Sequence, residues 1–398
     1  MTSSKVVDDI IALNAERNAA MFAPFNPITG EGSIGLRSPV TISDFAIPVQ
    51  WLPQDMLHIP LIRHLAKAGS IERFIIDVLH DDPSEANRTA VSRSLIRLRF
   101  KHDFAFWAAS LVKIKNKQAG EDVLFRLYYP QRILVSRFEE CRRAGRPIRL
   151  ILLKARQWGG STTTQLYMAW LQFFHRKGLN SLIIAHQGTA SDEIKDMFDR
   201  MIKDYPVEFL HDMGEEYSPD EPKLVGVGKS GSTHRVPQRN CKIKIGTAER
   251  PDGCRGGDYS LVHLSEVGLW RKTEGKSPED IVRAACSGIL LQPLTMIVME
   301  STANGTGNFF HREYRAAADP KVRSQFQALF VAWFQIEQYR LPFASDKEQR
   351  RFAENLYANR ENPNVASSRE ECGKYLWWLW LKGASLEAIH WYIEERAG

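Results

Sequence analysis

The sequence has no run of the roughly 18 or more consecutive apolar residues that a membrane span needs, so it reads as a soluble protein with no membrane partner. Cysteine is sparse: Cys141, Cys241, Cys254, Cys286 and Cys372 are scattered, odd in number and without a C-x-x-C pair. That pattern excludes a disulfide framework and a zinc site, and leaves five reduced, structural thiols as the expectation. No internal repeat and no low-complexity block is present, which sets aside solenoid and disordered classes. The opening MTSSKVVDDIIALNAERNAA mixes acids into its apolar residues, so it reads as neither a signal nor a transit peptide, and a cytoplasmic location is expected. Charge is only mildly one-sided, at +6 over 398 residues, which permits a polyanionic partner without requiring one. What is present is a globular composition, 43% apolar and 25% charged, long enough for one large α/β domain with additions or for two domains.

Three regions follow from the patterning. Residues 1–100 read as an N-terminal arm and helical region. The Pro/Gly-rich APFNPITGEGSIGLRSPVTISDFAIPVQWLP predicts an extended arm, and apolar residues at helical spacing around a break and cap at Asp82 to Ser84 predict two or three helices. Residues 101–335 alternate short β-branched or leucine runs with helical patterns, the signature of a mainly parallel central sheet flanked by helices. The candidate strands are 148–153, 181–185, 241–246, 259–265, 294–300 and 327–333, with a helix over STTTQLYMAWLQFFHRKG between the first two. Residues 336–398 form a helical, aromatic-rich lid or linker. There Trp377, Trp378 and Trp380 either pack inside a small subdomain or offer a docking surface.

The stretch RLILLKARQWGGSTTTQ, residues 149–165, runs an apolar strand into a glycine pair and four hydroxyl side chains. Such a turn binds phosphate because backbone N–H groups converge at a helix N-terminus and glycine lets the backbone approach. Against the general pattern G-x-x-x-x-G-K-[ST], Lys154 stands at the first glycine and Gly160 at the lysine, so the strict pattern fails and an ordinary βα turn is the competing reading. Lys154 at the mouth of the loop and Arg156 within it keep the charge, with Ser161 or Thr162 as the hydroxyl for Mg²⁺. YSLVHLSE then offers Glu266 as a catalytic base at a strand end, with Ser265 where a metal-holding acid is normal and Asp258 as a helper. LTMIVMESTANGTGNFF ends a third strand in Ser301, Thr302, Asn304 and Gly305, small polar groups able to sense a γ-phosphate and its attacking water.

In this order KARQWGGST, LVHLSEVGLW and ESTANGTGNFF resemble the deviant Walker A, Walker B and coupling motifs of the large terminase subunit of tailed bacteriophages, and FRLYYPQRILV resembles its adenine-recognition stretch. The resemblance covers about residues 100–335. It implies a P-loop NTPase of the additional-strand, catalytic-Glu class that hydrolyses ATP with Mg²⁺ and drives double-stranded DNA into a procapsid from the host cytoplasm. The implied partners are duplex DNA, a portal protein, a small terminase subunit and further copies of the chain in a ring, by resemblance a pentamer. Tyr129, Gln131, Lys154, Arg156, Gln157, Trp158, Gly159, Gly160, Ser161 and Thr162 would hold the nucleotide, and Ser161, Ser265 and Glu266 the metal. Lys154 and Arg156 would stabilise charge, Asn304 would couple hydrolysis to movement, and Arg250 or Arg255 would be lent to a neighbouring subunit. Lys229, Arg235, Arg239 and Lys242 are the candidate DNA contacts, and Arg142, Arg143 and Arg146 form a second basic patch. The nuclease that accompanies this ATPase in the family has no acidic cluster here. A helicase-like ATPase, or a DNA- or capsid-binding adaptor that has lost hydrolysis, are the alternatives.

Overall fold

Six of the seven positions of Ile148–Lys154 are buried, and the run is apolar apart from Arg149 and the terminal lysine, as expected of a strand covered on both faces. The same burial marks the neighbours that complete an eight-stranded sheet. In chain order the strands are β1 (Ile148–Lys154), β2 (Ser181–Ala185), β3 (Val225–Val227), β4 (Thr233–Val236), β5 (Cys241–Thr247), β6 (Leu261–Leu264), β7 (Met296–Ser301) and β8 (Gln327–Val331). These come from a computed structural model that describes residues 3–116, 120–228, 231–254, 256–272, 276–363 and 373–397. The sheet order is β8-β1-β7-β6-β2-β5-β4-β3. From β1 through β5 every neighbouring pair is parallel, and β5, β4 and β3 then close the edge as an antiparallel meander. All six predicted strands are present. The β3–β4 hairpin falls in the basic Gly/Ser segment, for which a solvated hairpin is one of the two sequence readings; its strands are short, largely solvated and give no apolar run.

The β1, β6 and β7 ends that matter lie side by side because β7, last of the three in the chain, inserts between the other two. Lys154, Glu266 and Ser301–Thr302 therefore meet at the carboxyl ends of these three strands. Behind β1 the helix Gly160–Phe174 is buried along nearly its whole length. Tyr167, Trp170 and Phe173 on this helix pack with Phe104 and Trp107 from the helix Phe104–Leu111. Each such ring removes roughly 150–250 Å² from water. At about 25 cal/mol/Å² that is on the order of 4–6 kcal/mol per ring before entropy is counted, enough to fix the helix that carries the glycine turn.

The chain divides into two compact units. Residues 26–127 and 131–330 form the sheet-bearing one, and residues 1–25, 128–130 and 331–398 the other. In the first, the segment predicted as an extended arm folds into an antiparallel pair, Arg37–Thr41 with Val49–Pro53. The helix Glu85–His102 starts where its cap was expected, with the Ser84 hydroxyl accepting from the Asn87 amide at 3.3 Å. In the second unit the helix Ser3–Phe22 buries Val7 and Ile10 in one core with Phe334, Leu356, Leu379, Trp380 and Ile389. This corrects the expected division into a 1–100 region and a separate 336–398 region, since the apolar face of the first helix finds its cover three hundred residues away. Trp380 is buried with the Arg17 guanidinium 4.0 Å above its ring, Trp377 packs edge-on to Tyr357, and Trp378 is half-exposed. Among the described residues no helix is long and apolar enough to cross a membrane.

Candidate active site

After Lys154 the chain leaves β1 and turns through residues 155–159 into the helix Gly160–Phe174. Two left-handed residues make the turn: Gln157 at φ 64° and Gly159 at φ 75°. A side chain at Gly159 would strike the Gln131 amide at 2.6 Å, and one at Gly160 would strike the Trp158 ring at 2.7 Å. A lysine at position 160 would press its Cβ into the buried Trp158 indole, so the ordinary motif would require the ring to move. Gln131 is buried rather than open to a base, and its Nε2 donates to the Trp158 carbonyl at 2.9 Å, bracing the loop from behind. The helix start has no side-chain cap, so its first amides still point out of the N-terminus. Thr163 and Thr164 do not face that opening; their hydroxyls bond back to the Gly159 and Gly160 carbonyls at 2.8 and 3.0 Å.

Lys154 is the charge that the loop keeps. Its Nζ donates to Glu266 Oε1 at 2.8 Å and lies 3.9 Å from Glu300 Oε2. Burial acts to lower the lysine pKa, but Glu300 and Glu266 outweigh burial and the opposing Arg156 charge and raise it, so the ammonium stays charged. Glu266 itself sits in the left-handed region, φ 54° and ψ 44°, a conformation that costs a non-glycine residue roughly 1–2 kcal/mol. Its second oxygen accepts from the Thr302 amide at 3.0 Å and the Thr302 hydroxyl at 3.1 Å. A carboxylate on a strained backbone, held by three donors from Lys154 and Thr302, is a positioned one.

Beneath this pair lies a residue the sequence reading passed over. Glu300, on β7, is fully buried, and its Oε1 accepts from the hydroxyls of Ser161 and, at 3.0 Å, Ser265. His263 Nε2 stands 3.3 Å from the same oxygen, and Gln165 Nε2 stands 3.4 Å from His263 Nδ1. Burial alone would raise the Glu300 pKa; Lys154, His263 and the Ser161 hydroxyl reverse this and hold it at about 2. The two predicted metal-side hydroxyls, Ser161 and Ser265, thus converge on one carboxylate. The available signals were a histidine in the apolar run of β6 and an acid closing the run of β7.

The remaining predicted residues differ in where they lie. Asn304 bonds the loops together, its Nδ2 donating to the Gly268 carbonyl at 2.7 Å while the Gly268 amide donates to Ser301 Oγ at 3.0 Å. Thr162 is half-buried in the first helical turn, and Arg156 and Gln157 are exposed on the loop. Tyr129 belongs to the other compact unit, where its amide donates to Glu337 Oε1 at 3.0 Å. Arg250 is exposed on the turn after β5, and among the described residues no hydrogen bond or ion pair joins it to the Lys154 cluster. Arg235 and Lys242 are exposed cross-strand partners on β4 and β5. Arg239, by contrast, is buried and donates to Asp212 Oδ1 at 2.7 Å and the Gln172 carbonyl at 3.1 Å. It is therefore a structural arginine and not a surface contact. Arg142 and Arg143 are likewise taken up by Glu139 and Asp55. Arg255 and Lys229 lie outside the described residues.

No family model matches the chain, and no curated protein matches it. Among solved structures, the large terminase ATPase domain of Thermus phage P74-26 is similar at a TM-score of 0.32 and 17% identity, over 53% of this chain and 82% of that one. A point mutant of the same domain is similar at a TM-score of 0.33, with the same identity and coverage.

Proposed function

We propose that the chain is an Mg²⁺-dependent ATPase of the P-loop, additional-strand class, acting as a DNA-translocating terminase motor. The observation that carries the reading is Lys154, buried at the end of β1 beside an uncapped helix N-terminus and bonded to Glu266 across the inserted strand β7. One ammonium, a glycine turn and a held carboxylate are the parts that γ-phosphate hydrolysis requires. The R-Q-x-G form of the loop and the ESTANG segment favour a terminase over a helicase-like ATPase.

The chain's own residues divide the work. The first amides of the helix Gly160–Phe174 and Lys154 bind the phosphate oxygens, Lys154 giving up Glu266 as it does so. Glu266, released on one oxygen and still held on the other by Thr302, orients water and takes its proton. Asn304 and Ser301 tie the turn after Glu266 to the loop after β7, so a shift of one loop moves the other. When bound, Mg²⁺ would supply positive charge that offsets the charge of the phosphates. The donors beside the loop are hydroxyl and carboxylate oxygens, which suit a hard cation, and among the described residues no group of three or more His, Cys, Asp or Glu forms a protein cage. Ser161 is the residue that would hold the ion, together with phosphate and water.

For DNA, Arg235 and Lys242 are like charges directly opposite each other, an arrangement that is unfavourable until an anion lies over it. Such contacts position a duplex without reading sequence, and their affinity falls with salt. The test is steady-state ATP turnover by the full chain with and without long duplex DNA, beside Lys154→Ala and Glu266→Gln. Expected are DNA-stimulated turnover in the parent, loss of nucleotide binding in Lys154→Ala, and retained binding with turnover lower by roughly 10²–10⁴-fold in Glu266→Gln. Nucleotide binding without turnover under every condition would favour the adaptor, and unwinding of a forked duplex the helicase.

A further inference from the structure

We infer that Glu300 is the metal-side carboxylate of this site, replacing from β7 the acid that β6 lacks at Ser265; the inference rests on the nucleotide reading above. Three observations lead there. Ser161, the hydroxyl nearest the loop's metal position, donates its proton to Glu300 Oε1, which leaves its lone pairs free for a cation. Ser265, where an acid would ordinarily stand, donates to the same oxygen at 3.0 Å. The carboxylate function has therefore moved one strand sideways, and the residue at the old position has become a donor to the new one.

The third observation is that the arrangement is incomplete by itself. Glu300 is 0% exposed, yet among the described residues its Oε2 has no hydrogen-bond partner, and Lys154 Nζ stands 3.9 Å away. A fully buried carboxylate oxygen without a donor is costly, and buried sites of this kind are ordinarily completed by water or an ion. The local charge agrees, since one ammonium, Lys154, faces two carboxylates, Glu266 and Glu300. Once Lys154 turns to phosphate, those carboxylates lose their counter-charge, and a divalent cation beside Ser161 restores it. Glu300 acts on the ion through Ser161 and through ordered water, which makes it a positioning residue. Behind it His263 Nε2 stands 3.3 Å from Oε1, with Gln165 against the other ring nitrogen.

The experiment uses the full chain and two probes: a fluorescent, non-hydrolysable ATP analogue, and Mn²⁺ followed by electron paramagnetic resonance. In the parent, Mn²⁺ binds to the protein–nucleotide complex and Mg²⁺ tightens the analogue. In Glu300→Gln the analogue binds as in the parent when EDTA is present, while Mn²⁺ affinity falls by about 10–100-fold, the range for loss of an outer-sphere partner. The pair Ser265→Asp with Glu300→Gln returns the carboxylate to β6 and recovers Mn²⁺ binding. Parent-like Mn²⁺ affinity in Glu300→Gln overturns the inference and leaves the nucleotide reading standing. If the parent binds no analogue with or without Mg²⁺, that reading falls and this one with it. Should Glu300→Gln lose its fold, Glu300→Asp decides the matter: it keeps the charge, so Mn²⁺ binding must survive in it, and its loss with the fold intact and EDTA-state nucleotide binding unchanged counts against the inference.

Discussion

Glu387 and Glu300 are both buried carboxylates, one in each compact unit, and their surroundings differ in kind. Around Glu387 the donors are neutral amides from distant parts of the chain: Asn14 at 3.2 Å, Asn18 at 3.1 Å and Gln349 at 3.0 Å, with Arg340 3.4 Å away. Both of its oxygens are occupied, and the bonds join the first helix to the last. Around Glu300 the donors crowd onto one oxygen and leave the other bare. The first pattern closes a core. The second, on the inference above, holds a charge ready for a cation, at the same strand ends that carry the left-handed Glu266. Burial does not separate the two, since both are buried; the way their oxygens are satisfied does.

The contrast can be sharpened or broken by experiment. The largest effect is expected from acid. The folded pKa of Glu300, about 2, lies below its ordinary 4.5, so its stabilisation is fully present above about pH 4.5 and is lost as pH falls towards 2. At roughly 1.4 kcal/mol per pKa unit this is on the order of 3 kcal/mol in the metal-free protein. Urea titrations between pH 5 and 2.5 on the parent and Glu300→Gln should show a shallower acid loss in the variant; parallel curves would remove Glu300 from the account. Next, Glu387→Ala strands three amide donors and should cost about 2 kcal/mol in thermal or denaturant unfolding, with nucleotide affinity unchanged. A loss of nucleotide binding at full stability would erase the distinction between the two carboxylates. The smallest effect belongs to the loop. Gly160→Ala drives a methyl into the Trp158 ring and should destabilise by about 1 kcal/mol, the low end for overpacking. Pairing it with Trp158→Phe should relieve part of that cost, and equal cost in both backgrounds would show that the ring is not the obstacle.

Much of the frame was legible because it rests on local pattern. β1, β2, β5, β6, β7 and β8 announce themselves as apolar runs, and Ser84 marks the start of its helix by the chemistry of its own side chain. The Lys154 and Glu266 pairing was half legible: each stands at a strand end, but nothing in residues 154 and 266 says that their side chains lie 2.8 Å apart. Glu300 and Gln131 were missed or misread for the same reason. Glu300 looks like the polar end of a strand, and Gln131 like a group facing a ligand, until the neighbours that surround them are known. Arg239 misled in the opposite direction, because a basic residue in a Gly/Ser-rich segment reads as exposed, and only Asp212 and the Gln172 carbonyl show where its charge is spent.

By itself, then, the sequence determined the alternation of strand and helix, the glycine turn after β1 and the residue types at the strand ends, since these depend on neighbours a few positions away. The tertiary structure alone decided that β7 lies between β1 and β6, and that Glu300 takes the hydroxyls of Ser161 and Ser265. Those outcomes follow from contacts between residues as many as 139 positions apart, and such contacts are set by how the sheet is ordered and not by any local run of side chains.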